Sequence, residues 1–237
     1  MQPTLIFDMD GVLVDTRNSY CKLLVDCYNH FSGDEITYEK DVIPIKQSGG
    51  YNNDWDILDL LFKKGGYNVE YKAIQDFYFE KYCNENFEGY INIEEPILDK
   101  AYVEDLAKNY NLTVFTGRYE HEAKHTLKRF GIIEYFTQII GFDSVGEGHQ
   151  KPDPKGANII KSNVTSDRIY YMGDTVDDMH AAKAAGVIGI GCLPPQDKSQ
   201  TLIDRLKSEG AYAVLNSTKE LKDFLEKDLQ AVRTTCK

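Results

Sequence analysis

The run Thr4–Phe7 is apolar and ends abruptly in two carboxylates one residue apart, Asp8 and Asp10. Runs of similar character recur at Leu112–Phe115, Gln138–Phe142, Arg168–Met172, Val187–Cys192 and Tyr212–Leu215, each closed by a turn signal. Helical periodicity between them predicts helices over Ile97–Tyr110, Glu120–Phe130, Pro154–Ser162, Asp177–Ala185, Gln200–Ser208 and Thr218–Leu229. Strand and helix in alternation predict an α/β fold, a doubly wound, mostly parallel, Rossmann-like sheet with helices on both faces.

Residues 16–94 break the alternation. They are rich in Tyr, Asn, Asp and Lys, show helical periodicity over Tyr20–Phe31, Asp54–Lys64 and Tyr71–Asn84, and contain no convincing strand. The expected organisation is therefore an α/β catalytic core of residues 1–15 and 95–237, with an all-helical cap domain of residues 16–94 inserted after the first strand. The last residues, 232–237, are expected to fray.

Composition narrows the setting. The chain has 237 residues, long enough for one core plus an insertion, and no stretch approaches the ~18 consecutive apolar residues of a membrane span. Five scattered cysteines without a CxxC pair suit free thiols, and no basic segment precedes a long apolar one, so a cytoplasmic location is expected. A net charge of -11 repels nucleic acid and anionic lipid, leaving a small molecule as the expected partner and the oligomeric state open.

In an open α/β sheet, side chains at the carboxyl ends of neighbouring strands converge on one crevice. Four segments fall at such ends: Asp8 and Asp10; Thr116-Gly117-Arg118; Lys151 in "HQKPDPKG"; and Asp174, Asp177 and Asp178 in "GDTVDD". Carboxylates gathered in a crevice need a cation between them, and hard oxygen donors suit Mg²⁺. A carboxylate is also a competent nucleophile towards phosphorus, and the remaining residues supply the ammonium, hydroxyl and backbone donors that phosphoryl transfer needs.

"DMDGV", "FTGR", "KPDP" and "GDTVDD", in that order, resemble the motifs of the haloacid dehalogenase-like hydrolase superfamily, of the phosphatase type with a small helical cap after the first strand. The resemblance implies Asp8 as nucleophile and metal ligand. It implies Asp10 as general acid and base, with its backbone carbonyl on Mg²⁺. Thr116 and Lys151 then hold the phosphoryl group, Asp174 ligates the metal directly, and Asp178 is an outer-sphere or secondary ligand. Asp10 separates phosphate-ester chemistry from carbon–halogen and carbon–phosphorus cleavage, where no alkoxide needs a proton at that point. The implied activity is Mg²⁺-dependent hydrolysis of the phosphate monoester of a small polar metabolite through an aspartyl-phosphate.

The cap is implied to close over the crevice and contact the substrate. Its stretch Lys46–Asp56, "KQSGGYNNDWD", reads either as a substrate-reading loop using Lys46, Asn53 and Trp55, or as a capped helix start with Asn53 or Asp54 as N-cap and Trp55 as a core anchor. It also resembles a subgroup of the superfamily, some of whose members are fused to a histidine-biosynthetic dehydratase. Arg118, with Gly117, reads either as a contact to a second substrate anion or as an exposed arginine in an ion pair.

Three other readings compete. A sugar phosphomutase of the same superfamily shares the core motifs, and a non-enzymatic aspartyl-phosphate switch combines similar residues on a parallel sheet. The string "HEAKH", His121 to His125, matches the zinc-protease pattern H-E-x-x-H. Helical spacing puts Tyr119, Ala123, Leu127 and Phe130 on one stripe and both histidines on the opposite, solvent side, which predicts a helix surface instead.

Overall fold

A computed structural model of the chain describes residues 2–51, 53–166 and 168–235, with side chains to residue 231. Its strands are β1 (Thr4–Phe7), β2 (Val14–Asp15), β3 (Glu95–Pro96), β4 (Asn111–Phe115), β5 (Phe136–Ile140), β6 (Ile169–Gly173), β7 (Ile188–Cys192) and β8 (Ala213–Leu215). Six of them form a sheet in the order β5-β4-β1-β6-β7-β8, with all neighbours parallel.

The apolar runs become strands because the sheet is covered on both faces. Leu5 and Phe7 point into one cluster with Leu112, Val114, Tyr170 and Met172. Ile6 points into the other, with Phe115, Ile169 and Tyr171. The sheet is flanked by α5 (Lys100–Ala107), α6 (Glu120–Arg129), α7 (Phe142–Val145), α8 (Lys155–Ser162), α9 (Val176–Ala185), α10 (Gln200–Ser208) and α11 (Leu221–Thr235) once the four helices of the insertion, α1 to α4, are set aside.

Those four, α1 (Tyr20–Ser32), α2 (Ile43–Ser48), α3 (Asp54–Gly65) and α4 (Tyr71–Tyr82), lie between β2 and β3 and share a separate core around Leu23, Leu24, Ile57, Phe62, Ile74 and Tyr78. The two arms of the insertion pair antiparallel with each other, Val14 with Pro96 and Asp15 with Glu95. The cap is thus tied at a single two-stranded neck above the carboxyl ends of the core strands.

Several bounds differ from expectation for local reasons. Strand β5 ends at Ile140 rather than Phe142, because Gly141 N-caps α7 and its amide takes the Ser144 hydroxyl as acceptor at 3.1 Å. Helix α5 starts at Lys100, where the Asp99 carboxylate accepts the Tyr102 amide at 2.8 Å. A 3₁₀ turn over Thr218–Glu220 precedes α11, which then continues to Thr235. The backbone of 232–235 is thus helical where fraying was expected, and residues 236 and 237, Cys236 included, lie outside the described residues; Cys21, Cys27, Cys83 and Cys192 are free and buried. No helix among the described residues is long and apolar enough to cross a membrane.

Candidate active site

Asp8 follows β1 directly, and its amide continues the ladder to Met172 O at 2.9 Å, so its side chain is fixed at the strand end. The loop after it turns back at once: the amides of Leu13 and Val14 both donate to Met9 O, at 2.8 and 2.9 Å. Gly11 sits in that turn at φ +73°, where a Cβ would fall 2.4 Å from Asp174 Oδ2. Only glycine allows the turn to press against the neighbouring carboxylate.

Asp174 follows β6, the partner of β1, and one carboxylate oxygen each from Asp174, Asp8 and Asp178 lie within 4.8 Å of one another. Lys151 Nζ enters this group, 2.9 Å from Asp8 Oδ1 and 2.7 Å from Asp178 Oδ1. Asp178 also accepts the Tyr171 hydroxyl at 2.8 Å, and it closes a reciprocal N-cap of α9 with Thr175, whose amide and hydroxyl donate to Oδ2 at 3.0 and 2.6 Å. Both of its oxygens are therefore engaged, whereas no hydrogen bond reaches Asp8 Oδ1 in good geometry and its contact to Lys151 is ionic.

Charge in the cluster is unevenly compensated. Burial pushes the Asp8 carboxyl up to about 7, against Lys151 and with the help of Asp178 and Asp10. Burial and the neighbouring Asp8 raise Asp174 well above the usual carboxylate range. Asp178 is buried too, yet Lys151, Thr175 and Tyr171 hold it below that range. Lys151 stays charged despite burial because Asp178 and Asp8 flank it. Two carboxylates that repel each other beside a third already saturated with donors suit a divalent cation, and an all-oxygen set suits Mg²⁺.

Thr116, at the end of β4, is buried, and its hydroxyl accepts the Arg118 amide at 3.2 Å. Asp8, Thr116 and Asp174 thus follow three neighbouring strands, β1, β4 and β6, while Lys151 reaches Asp8 from the loop before α8, and Asp178 comes from the first turn of α9. Asp10 stands apart from the carboxylate trio: its side chain is 35% exposed and faces Arg118.

Between this cluster and the cap lies a cavity of about 850 Å³. Gly117, Lys46, Asn53 and Trp55 all line it. Asn53 is also the N-cap of α3, accepting the Trp55 amide at 3.0 Å, and Trp55 packs against the cap core, so the capped helix start is present in a stretch that faces the cavity. Lys46 Nζ is 2.8 Å from Asp54 Oδ1. Burial works against its charge, and Asp54 beside it keeps Lys46 well above its ordinary value.

Arg118 requires a correction. It makes the expected ion pair but is buried rather than exposed: its side chain is 1% exposed, it pairs with Asp10 and Glu94, and it also donates to Tyr82 and Thr126. The surface placement of "HEAKH" holds for His121 but not for His125, which stacks on Phe87 of the cap arm at 4.4 Å and approaches Asn92 Oδ1 at 3.2 Å. His149 and His180 are engaged by Asp153 and Glu209, so neither completes a zinc set with them. Tyr171, Thr175, Glu94 and Glu122 were not singled out from sequence; the Thr175–Asp178 spacing, a capping box at a strand-to-helix turn, was the one available signal.

The family model for haloacid dehalogenase-like hydrolases matches residues 5–192. Imidazoleglycerol-phosphate dehydratase of Phytophthora nicotianae is 26% identical over 226 residues, 89% of this chain and 49% of that protein, so the chain spans about half the length of that relative. Pyrophosphatase PpaX of Listeria monocytogenes serotype 4b is 26% identical over 190 residues, covering 79% and 82% of the two chains. Among solved structures, a conserved haloacid dehalogenase-like protein of unknown function from Agrobacterium tumefaciens superposes with a TM-score of 0.74 at 19% identity, covering 95% of this chain and 98% of that one. A haloacid dehalogenase-like hydrolase from Streptococcus pneumoniae gives a TM-score of 0.70 at 15% identity over 95% and 98%. With the family-model match over most of its length, three of its motifs directly after neighbouring strands and helices inserted after the first strand, the chain belongs to the haloacid dehalogenase-like hydrolase family.

Proposed function

We propose that the protein is a Mg²⁺-dependent phosphatase that hydrolyses the phosphate monoester of a small polar metabolite through an aspartyl-phosphate on Asp8. The observation that carries this reading is the set of Asp8, Lys151 and Asp174 in the cavity wall, with Asp178 buried behind them on Lys151. Asp8 and Asp174 would hold the cation directly, with the Asp10 carbonyl, and Asp178 would act from behind through Lys151. When bound, the ion supplies charge neutralisation for the transferring phosphoryl oxygens and for the crowded carboxylates.

The residues then divide the work. An Asp8 oxygen attacks phosphorus while the ester oxygen departs, and Asp10 gives that oxygen a proton. Water next attacks the aspartyl-phosphate, passes a proton back to Asp10, and frees phosphate with Asp8 restored. Lys151 and the Thr116 hydroxyl hold the phosphoryl oxygens throughout, and the cap shields the intermediate from premature water.

The cavity wall favours hydrolysis over phosphoryl return. A mutase holds a substrate bearing two phosphoryl groups, so its cavity needs a second cationic site. Among the described residues that line this one, Lys46 is paired with Asp54, Lys72 with Asp76, Arg118 with Asp10 and Glu94, and Lys151 with Asp8 and Asp178. The relative named imidazoleglycerol-phosphate dehydratase supports a polar metabolite phosphate as the substrate class. The unpaired cysteines favour a cytoplasmic setting.

Purified protein with Mg²⁺ should release phosphate from para-nitrophenyl phosphate, lose that activity in EDTA, and lose it in Asp8→Asn with the fold retained. Full activity in Asp8→Asn would remove Asp8 as nucleophile. A screen of sugar phosphates, inorganic pyrophosphate and imidazole-bearing phosphate esters then assigns the substrate.

A further inference from the structure

Arg118 is the hub of a buried network that ends on Asp10. Its Nε donates to Asp10 Oδ1 and Oδ2 at 3.0 and 3.2 Å, and its Nη2 contacts Oδ1 of the same carboxylate. The other side of the guanidinium is filled: Nη1 donates to Glu94 Oε2 at 2.9 Å, Tyr82 Oη at 2.8 Å and Thr126 Oγ1 at 3.2 Å, and Nη2 donates to Glu94 Oε1 at 2.9 Å. The Tyr82 and Thr126 hydroxyls each pass their own hydrogen to Glu94, at 3.0 and 3.1 Å. The guanidinium also lies over the Tyr20 ring, 5.1 Å from its centre, and Tyr20 stacks on Tyr82 at 4.2 Å.

Charge explains the design. Arg118 and Glu94 are both essentially unexposed and form a closed, neutral pair with every polar atom served, which is the condition for holding ions in a core. That pair does not need Asp10. Asp10 is instead gripped at the edge of the pair, on the cavity side, by the one fork of the guanidinium left over. A bidentate fork fixes the plane of a carboxylate, which a single hydrogen bond does not. Proton delivery to a departing oxygen demands such placement, within hydrogen-bond reach of that atom, and with Oδ1 held by both Nε and Nη2, Oδ2 is the oxygen left to carry the proton.

We infer that Arg118 is a positioning residue for Asp10, itself held by Glu94, Tyr82 and Thr126, and that it acts on the reaction only through that carboxylate. This rests on the phosphatase reading, with Asp10 as the proton donor. It goes beyond it by giving the residue after "TG" a role in the leaving-group step and none in binding a substrate anion.

The test compares para-nitrophenyl phosphate, whose leaving group needs little protonation, with β-glycerol phosphate, whose alkoxide needs a proton. In Arg118→Met the rate on the alkyl ester should fall at least about tenfold further than on the aryl ester, as in Asp10→Asn. Arg118→Lys should recover only part of the loss. The double variant Asp10→Asn/Arg118→Met should be no slower on the alkyl ester than Asp10→Asn alone. Equal losses on the two esters, or losses that multiply in the double variant, would overturn the role. Tyr82→Phe removes one support without changing shape and should show the same alkyl-selective loss, a few-fold in size; this keeps the test available if Arg118→Met does not fold. A wild-type protein that hydrolyses neither ester removes the phosphatase reading and this role with it. An active wild type with unselective variants removes the role alone.

Discussion

The Gly50 amide of the cap donates to Asp177 Oδ1 of the core over 3.0 Å, a contact spanning 127 residues of sequence. Beside it, Gln47 Nε2 donates to Asp197 Oδ2 at 2.6 Å, and Arg205 Nε donates to Gln47 O at 3.2 Å. The end of α2 and the glycine turn after it are thereby docked next to the carboxylate cluster, which gives Asp177 a place in cap docking. Gly49 and Gly50 both have positive φ, and a Cβ on Gly49 would lie 3.1 Å from Val176, so the loop approaches α9 backbone-first. Asp177→Ala removes a charged acceptor, and KM for the phosphate ester should rise on the order of tenfold. Faster amide exchange at Gly50 should accompany it. An unchanged KM with unchanged exchange would remove Asp177 from cap docking.

Lys151 is the sole ammonium among the described residues within ion-pair distance of Asp8 and Asp178. Lys151→Met leaves two buried carboxylates facing each other, which should cost about 3–5 kcal/mol of folding stability. Chemical unfolding with and without Mg²⁺ measures this: the ion should restore part of the loss, because it supplies positive charge to the same oxygens. Phosphatase activity should still fall by about 10² or more, since the ion does not replace the fixed donor to the phosphoryl group. A variant as stable as the wild type in EDTA would contradict the charge account.

The core was legible because its signals are local. Each central strand is a buried apolar run, and Asp8, Thr116 and Asp174 each follow one, so topology alone brings them together. Lys151 needed more than periodicity, since it sits in a loop; the proline-bounded "KPDP" segment marked it. Arg118 was misread because its partners Glu94, Tyr82 and Asp10 lie 24, 36 and 108 residues away, and nothing in "TGR" announces them. Helix α2 has only six residues and follows a π-helical turn, too short a stretch for periodicity to register. Helical spacing placed His125 correctly on α6, but it carries no information on the cap arm whose Phe87 covers the ring.

That stack makes His125 a structural residue. Burial, with Arg129 close by, holds its imidazole below its ordinary pKa, which suits a neutral ring lying flat on Phe87 at an interplanar angle of 15°. His125→Ala should cost about 0.5–1.5 kcal/mol in chemical denaturation. Zinc titration should show no stoichiometric site in the wild type; a site that appears there and vanishes in His125→Ala would reinstate the H-E-x-x-H reading.

Glu122 adds to the pH dependence of stability from outside the carboxylate cluster. Its carboxyl lines the cavity, and burial pushes it from 4.5 up to about 7, against the attraction of Arg118. A carboxyl whose folded value lies above its unfolded one favours the folded state only while protonated. Its contribution is intact below the unfolded value near 4.5, declines as pH rises, and is fully lost above about 7. Glu122→Gln mimics the protonated form at every pH. The variant should match the wild type at pH 4 and exceed it at pH 8 by on the order of 2–3 kcal/mol, with the gap opening between those limits. Urea midpoints for both proteins across that range would measure the gap. A gap that widens towards acid, or stays constant, would show that Glu122 is ionised and satisfied in the fold.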